Sequence, residues 1–141
     1  MYKAWPHRVA VIGAGTMGLG VAECFAAAGI EVRLTDATPE MTREAKERLV
    51  QRARGHAEAG LLSAQAAGRA EAVEPADSAP EASSDAGLVF EAVFEDLDLK
   101  LEILAACSKA APDSAARLAS SHWYPRQPAM PTTTRRQPAM M

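Results

Sequence analysis

Residues 7–18 read His7-Arg8-Val9-Ala10-Val11-Ile12-Gly13-Ala14-Gly15-Thr16-Met17-Gly18. The first half is a short β-branched apolar run, the pattern of a strand buried on both faces of a parallel sheet. Three glycines at G-x-G-x-x-G spacing follow at once. After them Leu19, Val21, Ala22, Phe25 and Ala26 supply the small or apolar residues of a helix pressed closely on a sheet, and Gly29 is placed as its stop. Residues 30–35 (IEVRLT) alternate and predict a second strand. Alone, the glycine spacing says little; between a strand and a helix, inside one βαβ unit, it is the fingerprint of a dinucleotide-binding loop.

The chemistry follows from the spacing. Gly13 permits the tight turn off the strand, Gly15 removes the side chain that would block a pyrophosphate, and Gly18 lets the helix approach the sheet. The amides of Thr16 and Met17 can then meet phosphate oxygens at the positive end of the helix dipole. Asp36 closes the second strand eighteen residues beyond Gly18. A carboxylate there accepts hydrogen bonds from ribose hydroxyls and repels a 2′-phosphate, which favours NAD over NADP. Arg33 keeps NADP open if its side chain turns towards the site. Two blander readings stand beside these: a glycine turn with no ligand, and an Asp36 that only caps the turn before Pro39.

Thr38-Pro39-Glu40 looks like a helix start, and Met41, Ala45, Leu49 and Ala53 recur at helical spacing to about residue 59. A short helical stretch at 63–69 leads to a weak strand around 70–73. Residues 74–85, rich in Pro, Ala, Ser and Asp, suggest a loop and one helical turn before the next strand. A strand at 88–93, a helix from 97 to about 111 and a fifth strand from 116 complete the order. This succession predicts an α/β fold with a Rossmann-type, doubly wound parallel sheet. Glu91, Glu95, Asp96 and Asp98 surround the exit of the fourth strand, where open α/β sheets bind ligands. Position selects Glu95, although a solvated helix start or a surface charge couple of Glu95 with Lys100 explains the same residues.

The chain has 141 residues, 48% hydrophobic and 23% charged, enough for one packed domain. Its net charge of −3 offers no electrostatic attraction to nucleic acid or anionic membranes. The N-terminus lacks the apolar run of a signal peptide and no stretch reaches membrane-span length, so a cytoplasmic protein is expected. Cys24 and Cys107 have no cysteine or histidine neighbour and read as reduced core residues. His7, His56 and His122 show no metal-ligand or catalytic spacing, so no metal site is expected. After Ser121 the chain becomes proline-rich and repeats Arg-Gln-Pro-Ala-Met at 126–130 and 136–140. Residues 1–121 therefore read as the domain and 122–141 as a low-complexity tail without regular structure.

The run Val9-Ala10-Val11-Ile12-Gly13-Ala14-Gly15-Thr16-Met17-Gly18-Leu19-Gly20-Val21-Ala22, with Phe25-Ala26 and Gly29, resembles the N-terminal domain of the 3-hydroxyacyl-CoA dehydrogenases. So does Leu88-Val89-Phe90-Glu91-Ala92-Val93-Phe94-Glu95-Asp96-Leu97-Asp98-Leu99-Lys100, and Gly60-Leu61-Leu62-Ser63 matches the linker between that family's helices. Gulonate dehydrogenases would look nearly the same. The resemblance implies reversible oxidation of an L-3-hydroxyacyl-CoA to the 3-ketoacyl-CoA with NAD, in fatty-acid β-oxidation or butanoate metabolism. It also implies that Gly13, Gly15, Thr16, Met17 and Gly18 cradle the pyrophosphate, Asp36 the adenosine ribose, and Glu95 with Lys100 the nicotinamide half.

Departure begins after Leu118-Ala119-Ser120, where the family continues Asn-Thr-Ser and later His-Phe-Phe-Asn-Pro. Here Ser121-His122-Trp123 follows, Trp123 falls at the family's catalytic serine, and the general-base histidine has no counterpart. These residues read as a sheet incomplete at its C-terminal end, from a gene truncated or shifted in frame near residue 120. On that reading the acyl-CoA cleft and the family's dimer interface need a C-terminal domain supplied separately. The competing reading is a nucleotide-binding or interaction module without catalysis.

Overall fold

A computed structural model describes residues 6–93 and 97–119, apart from the side chains of Leu97, Lys100, Leu118 and Ala119. Five parallel strands, β1 (Arg8–Ile12), β2 (Glu31–Thr35), β3 (Glu74–Pro75), β4 (Leu88–Glu91) and β5 (Ala116–Ala119), lie in the order β3-β2-β1-β4-β5. The helices are α1 (Thr16–Ala27), α2 (Pro39–Glu58), α3 (Ala64–Gly68), α4 (Ala79–Ser83) and α5 (Leu97–Ala110).

Strand alternation sorts the core into two layers. Val9, Val11, Val32 and Leu34 face α1, α2 and α3, where Ala22, Ala26, Ala45, Leu49 and Ala53 meet them. Ala10, Ile12 and Val89 face the other side, against Ala82, Cys107 and Ala111 of the α4–α5 layer. Both faces of β1 are thus covered, as its apolar run requires, and the sheet is the doubly wound α/β Rossmann type expected. From β1 the chain builds outward to β2 and β3, then returns to place β4 on β1's other side. The strand order thus reverses between β1 and β4, and the carboxyl ends of the strands at such a reversal are where sheets of this type bind ligands.

Local signals explain the element ends. α1 stops at Gly29, whose φ of +84° suits glycine, while Gly29 N–H donates to Ala26 O at 2.9 Å and Ile30 N–H to Phe25 O at 3.1 Å. α2 begins with Thr38 accepting from Met41 N–H at 3.1 Å and Pro39 in its first turn.

Three expectations need correction. Residues 70–73 are no strand: Arg69–Ala72 forms a 3-10 turn that buries Ala70 beneath α1, and the strand is the two-residue Glu74–Pro75. Proline lacks an N–H, and this exposed two-residue pair carries no strand pattern, so the edge strand is invisible to periodicity. β4 ends at Glu91, short of residue 93. Cys24 is exposed, and only Cys107 is a core cysteine. Apart from these, α1 and α2 are joined by a polar contact: His56 Nδ1 lies 2.6 Å from Glu23 Oε1, and Arg52 Nε donates to Glu23 Oε2 at 3.0 Å. Glu23 is buried on α1, where Arg52 of α2 pairs with its charge and His56 of α2 shares its other oxygen. The tail at 122–141 lies outside the described residues.

Candidate functional site

The glycine loop is stitched between two strand ends. Gly13 N–H donates to Thr35 O at 2.9 Å, and Ala92 N–H donates to Ile12 O at 2.7 Å. Gly13 has φ +99°, and a Cβ on it would lie 2.6 Å from Ala92 O, so conformation and space both require glycine. At Gly18 a Cβ would fall 1.9 Å from Gly13 O; the first turn of α1 rests directly on the loop. Gly15 is different. A Cβ there would meet no protein atom within 4 Å, so nothing in the fold itself demands its missing side chain. It borders open space, with Thr16 and Met17 also exposed.

The start of α1 faces that space. Gly15 is the N-cap and offers no side-chain hydrogen bond, and no acid occupies the first turn. By contrast, Thr38, Ser63 and Ser78 cap α2, α3 and α4. The first amides of a helix have no intrahelical acceptor and together carry roughly half a positive charge. Gly15, Thr16 and Met17 are therefore an exposed helix start, shaped by the buried Gly13 and Gly18, whose donors suit an anion. A Cβ at Gly15 would intrude on the space such an anion needs, so the residues fit a pyrophosphate.

Asp36 directly follows the residue that accepts from Gly13 N–H, which puts it beside the loop. Its own N–H donates to Thr42 Oγ1 at 2.9 Å, and its Oδ1 accepts from Ala37 N–H at 2.8 Å. The carboxylate is thus held by its own turn, half-buried, and among the described residues no hydrogen bond engages Oδ2. Arg33 turns away from Asp36: Nε pairs with Glu74 at 3.4 Å, and Nη1 donates to Glu81 O and Ser84 Oγ at 3.3 and 3.4 Å. It is committed to β3 and α4.

At the β4 exit Glu91 is fully buried and its Oε1 accepts from Val93 N–H at 2.6 Å. It shapes the strand end rather than joining an exposed carboxylate cluster, while Asp98 is exposed in the first turn of α5. Glu95 and Asp96 lie outside the described residues. Lys100 falls in the first turn of α5, its side chain outside what the structure describes. Sequence reasoning missed Arg48, whose Nη2 donates to Ala14 O at 3.4 Å; thirty-four residues separate the two, and no local pattern links them.

The model for the NAD binding domain of 3-hydroxyacyl-CoA dehydrogenases matches residues 8–134. The chain belongs to this family. Its cofactor is NAD, which agrees with Asp36 beside the loop and Arg33 turned away. A 3-hydroxybutyryl-CoA dehydrogenase of Mycobacterium tuberculosis is 35% identical over 115 residues, covering 82% of this chain. The crystal structure of M. tuberculosis FadB2 superposes with a TM-score of 0.75 at 31% identity, covering 82% of this chain and 41% of that one. The 3-hydroxybutyryl-CoA dehydrogenase of Escherichia coli K12 gives 0.71 at 31% identity, covering 79% and 24%. The chain spans about 40% of the length of the M. tuberculosis relative. Among the described residues, no helix is long and apolar enough to cross a membrane, and no cluster of three or more His, Cys, Asp or Glu could hold a metal ion.

Proposed function

We propose that this chain holds NAD for the reversible oxidation of an L-3-hydroxyacyl-CoA to its 3-ketoacyl-CoA, a step of fatty-acid β-oxidation or butanoate metabolism in the cytoplasm. The observation that carries the reading is the uncapped start of α1 behind an open Gly15, at the reversal point of the sheet and beside Asp36. Gly13 and Gly18 fix the loop's shape, Gly15 leaves room for the pyrophosphate, and the Thr16 and Met17 amides donate to its oxygens. Asp36 accepts from the adenosine ribose through the oxygen its turn leaves over. Glu95 and Lys100 serve the nicotinamide half, as the family resemblance implies.

NAD supplies the hydride acceptor; the protein's part is to bind and orient it. The family's general-base motif His-Phe-Phe-Asn-Pro does not occur among these 141 residues, so proton abstraction is not assigned to any of them. The domain boundary near residue 121 and an acyl-CoA site completed by further residues belong to the same reading. Calorimetry with NADH and NADPH tests it. NADH should bind at least about tenfold more tightly than its phosphorylated form, since Asp36 faces the 2′ position. No heat at millimolar NADH, or a preference for NADPH, would overturn the assignment.

A further inference from the structure

Resting on that reading of the loop, we propose that Arg48 is a cofactor-binding residue whose guanidinium brings a positive charge from α2 to the pyrophosphate. Ala14, whose carbonyl accepts from Arg48 Nη2 at 3.4 Å, lies between Gly13 and Gly15, beside the open space over Gly15. One donor on that carbonyl tethers the side chain at the rim of the loop and leaves further guanidinium N–H groups for a ligand. Arg48 is otherwise exposed, and among the described residues no carboxylate neutralises it. One turn along α2, Arg52 makes the contrast: its charge is spent on the buried Glu23 at 3.0 Å.

The loop sits at the β1 exit, where this motif holds the pyrophosphate, whereas Asp36 marks the ribose side at the β2 exit. A charge tethered at Ala14 therefore acts on the phosphates. Arginine suits the task because its fork of donors matches two phosphate oxygens while a third N–H stays on the carbonyl.

The test is NADH affinity, by calorimetry across a series of salt concentrations, on the wild-type chain and on R48M, R48Q and R48K. R48M and R48Q should weaken NADH about tenfold and flatten the salt dependence, since one charge has left the site. R48K should keep the salt dependence. Melting temperatures should stay at the wild-type value, because an exposed contact contributes little to folding. Wild-type affinity and salt dependence in both neutral variants would overturn the proposal. So would equal losses in all three variants with an unchanged salt slope, which marks a role in loop shape alone. A wild-type chain that binds no NADH fails the cofactor reading itself, a separate outcome.

Discussion

The closest approach in the glycine loop gives a direct measure of how the fold is held. Changing Gly18 to alanine places a Cβ 1.9 Å from Gly13 O and 2.9 Å from Gly13 C, both backbone atoms that cannot swing aside. The Cβ must gain more than about 1 Å to reach a normal contact, so α1 has to lift from β1. Overpacking of this kind costs about 3 kcal/mol, the upper part of the usual range, because backbone opposes backbone. Alanine's helix propensity offsets about 1 kcal/mol of it, which leaves a net loss of about 2 kcal/mol and a melting point lower by about 8 °C. Gly20, two residues along the same helix, is the control. A Cβ there meets only the end of the Arg52 side chain, at 3.5 Å, so Gly20→Ala keeps the propensity gain and should stabilise by up to about 1 kcal/mol. Urea denaturation of both variants reads the difference, and NADH binding should survive in Gly20→Ala only. Gly18→Ala as stable as Gly20→Ala would refute the packing argument.

Other consequences are equally accessible. Replacing Glu23 by alanine strands Arg52 and His56, each about one-third exposed. Solvent softens that loss to about 1–2 kcal/mol, and a shift below about 0.5 kcal/mol in urea would count against the buried network. Cys24 should react with a thiol reagent in the native state while Cys107 waits for unfolding; two fast-reacting thiols would contradict the packing of α5. Burial pushes the Cys107 thiol above its ordinary 9.0, so the unfolded chain loses that proton first and stability falls as pH rises above about 9. Lys46, held below its ordinary 10.5 by burial, contributes the opposite slope, so the comparison must be with Cys107→Ala. That variant should lose less stability between pH 8 and 10 than the parent, and identical losses would remove Cys107 from the account.

Much of this molecule is legible in its sequence, for local reasons. The β-branched run at 8–12, the glycines at 13, 15 and 18, the stop at Gly29 and the Thr38-Pro39 start each satisfy backbone constraints that act over a few residues. The fold class and the anion-binding loop follow from them. The place of Asp36 at the end of the second strand was legible too, because a strand end and its turn are close in sequence.

What escaped depends on chain segments meeting. The edge strand at Glu74–Pro75 forms because β2 offers it a partner, with Ala76 N–H on Leu34 O at 2.8 Å, and its own two residues carry no pattern. Glu23 can be buried only because Arg52 and His56 arrive from α2, and Cys24, its neighbour, turns outward as a result of the same helix orientation. Glu91 faces the interior instead of a cluster at the strand exit. Arg33, which sequence left free to choose a phosphate, is claimed by Glu74 and α4, and Arg48 reaches the loop from another helix. The sequence by itself determined the central strands, turns and glycine loop of a dinucleotide-binding fold, since those are set by local backbone geometry. Only the tertiary structure decided which charges stand at that site, because each long side chain is placed by whatever the packed helices bring within its reach.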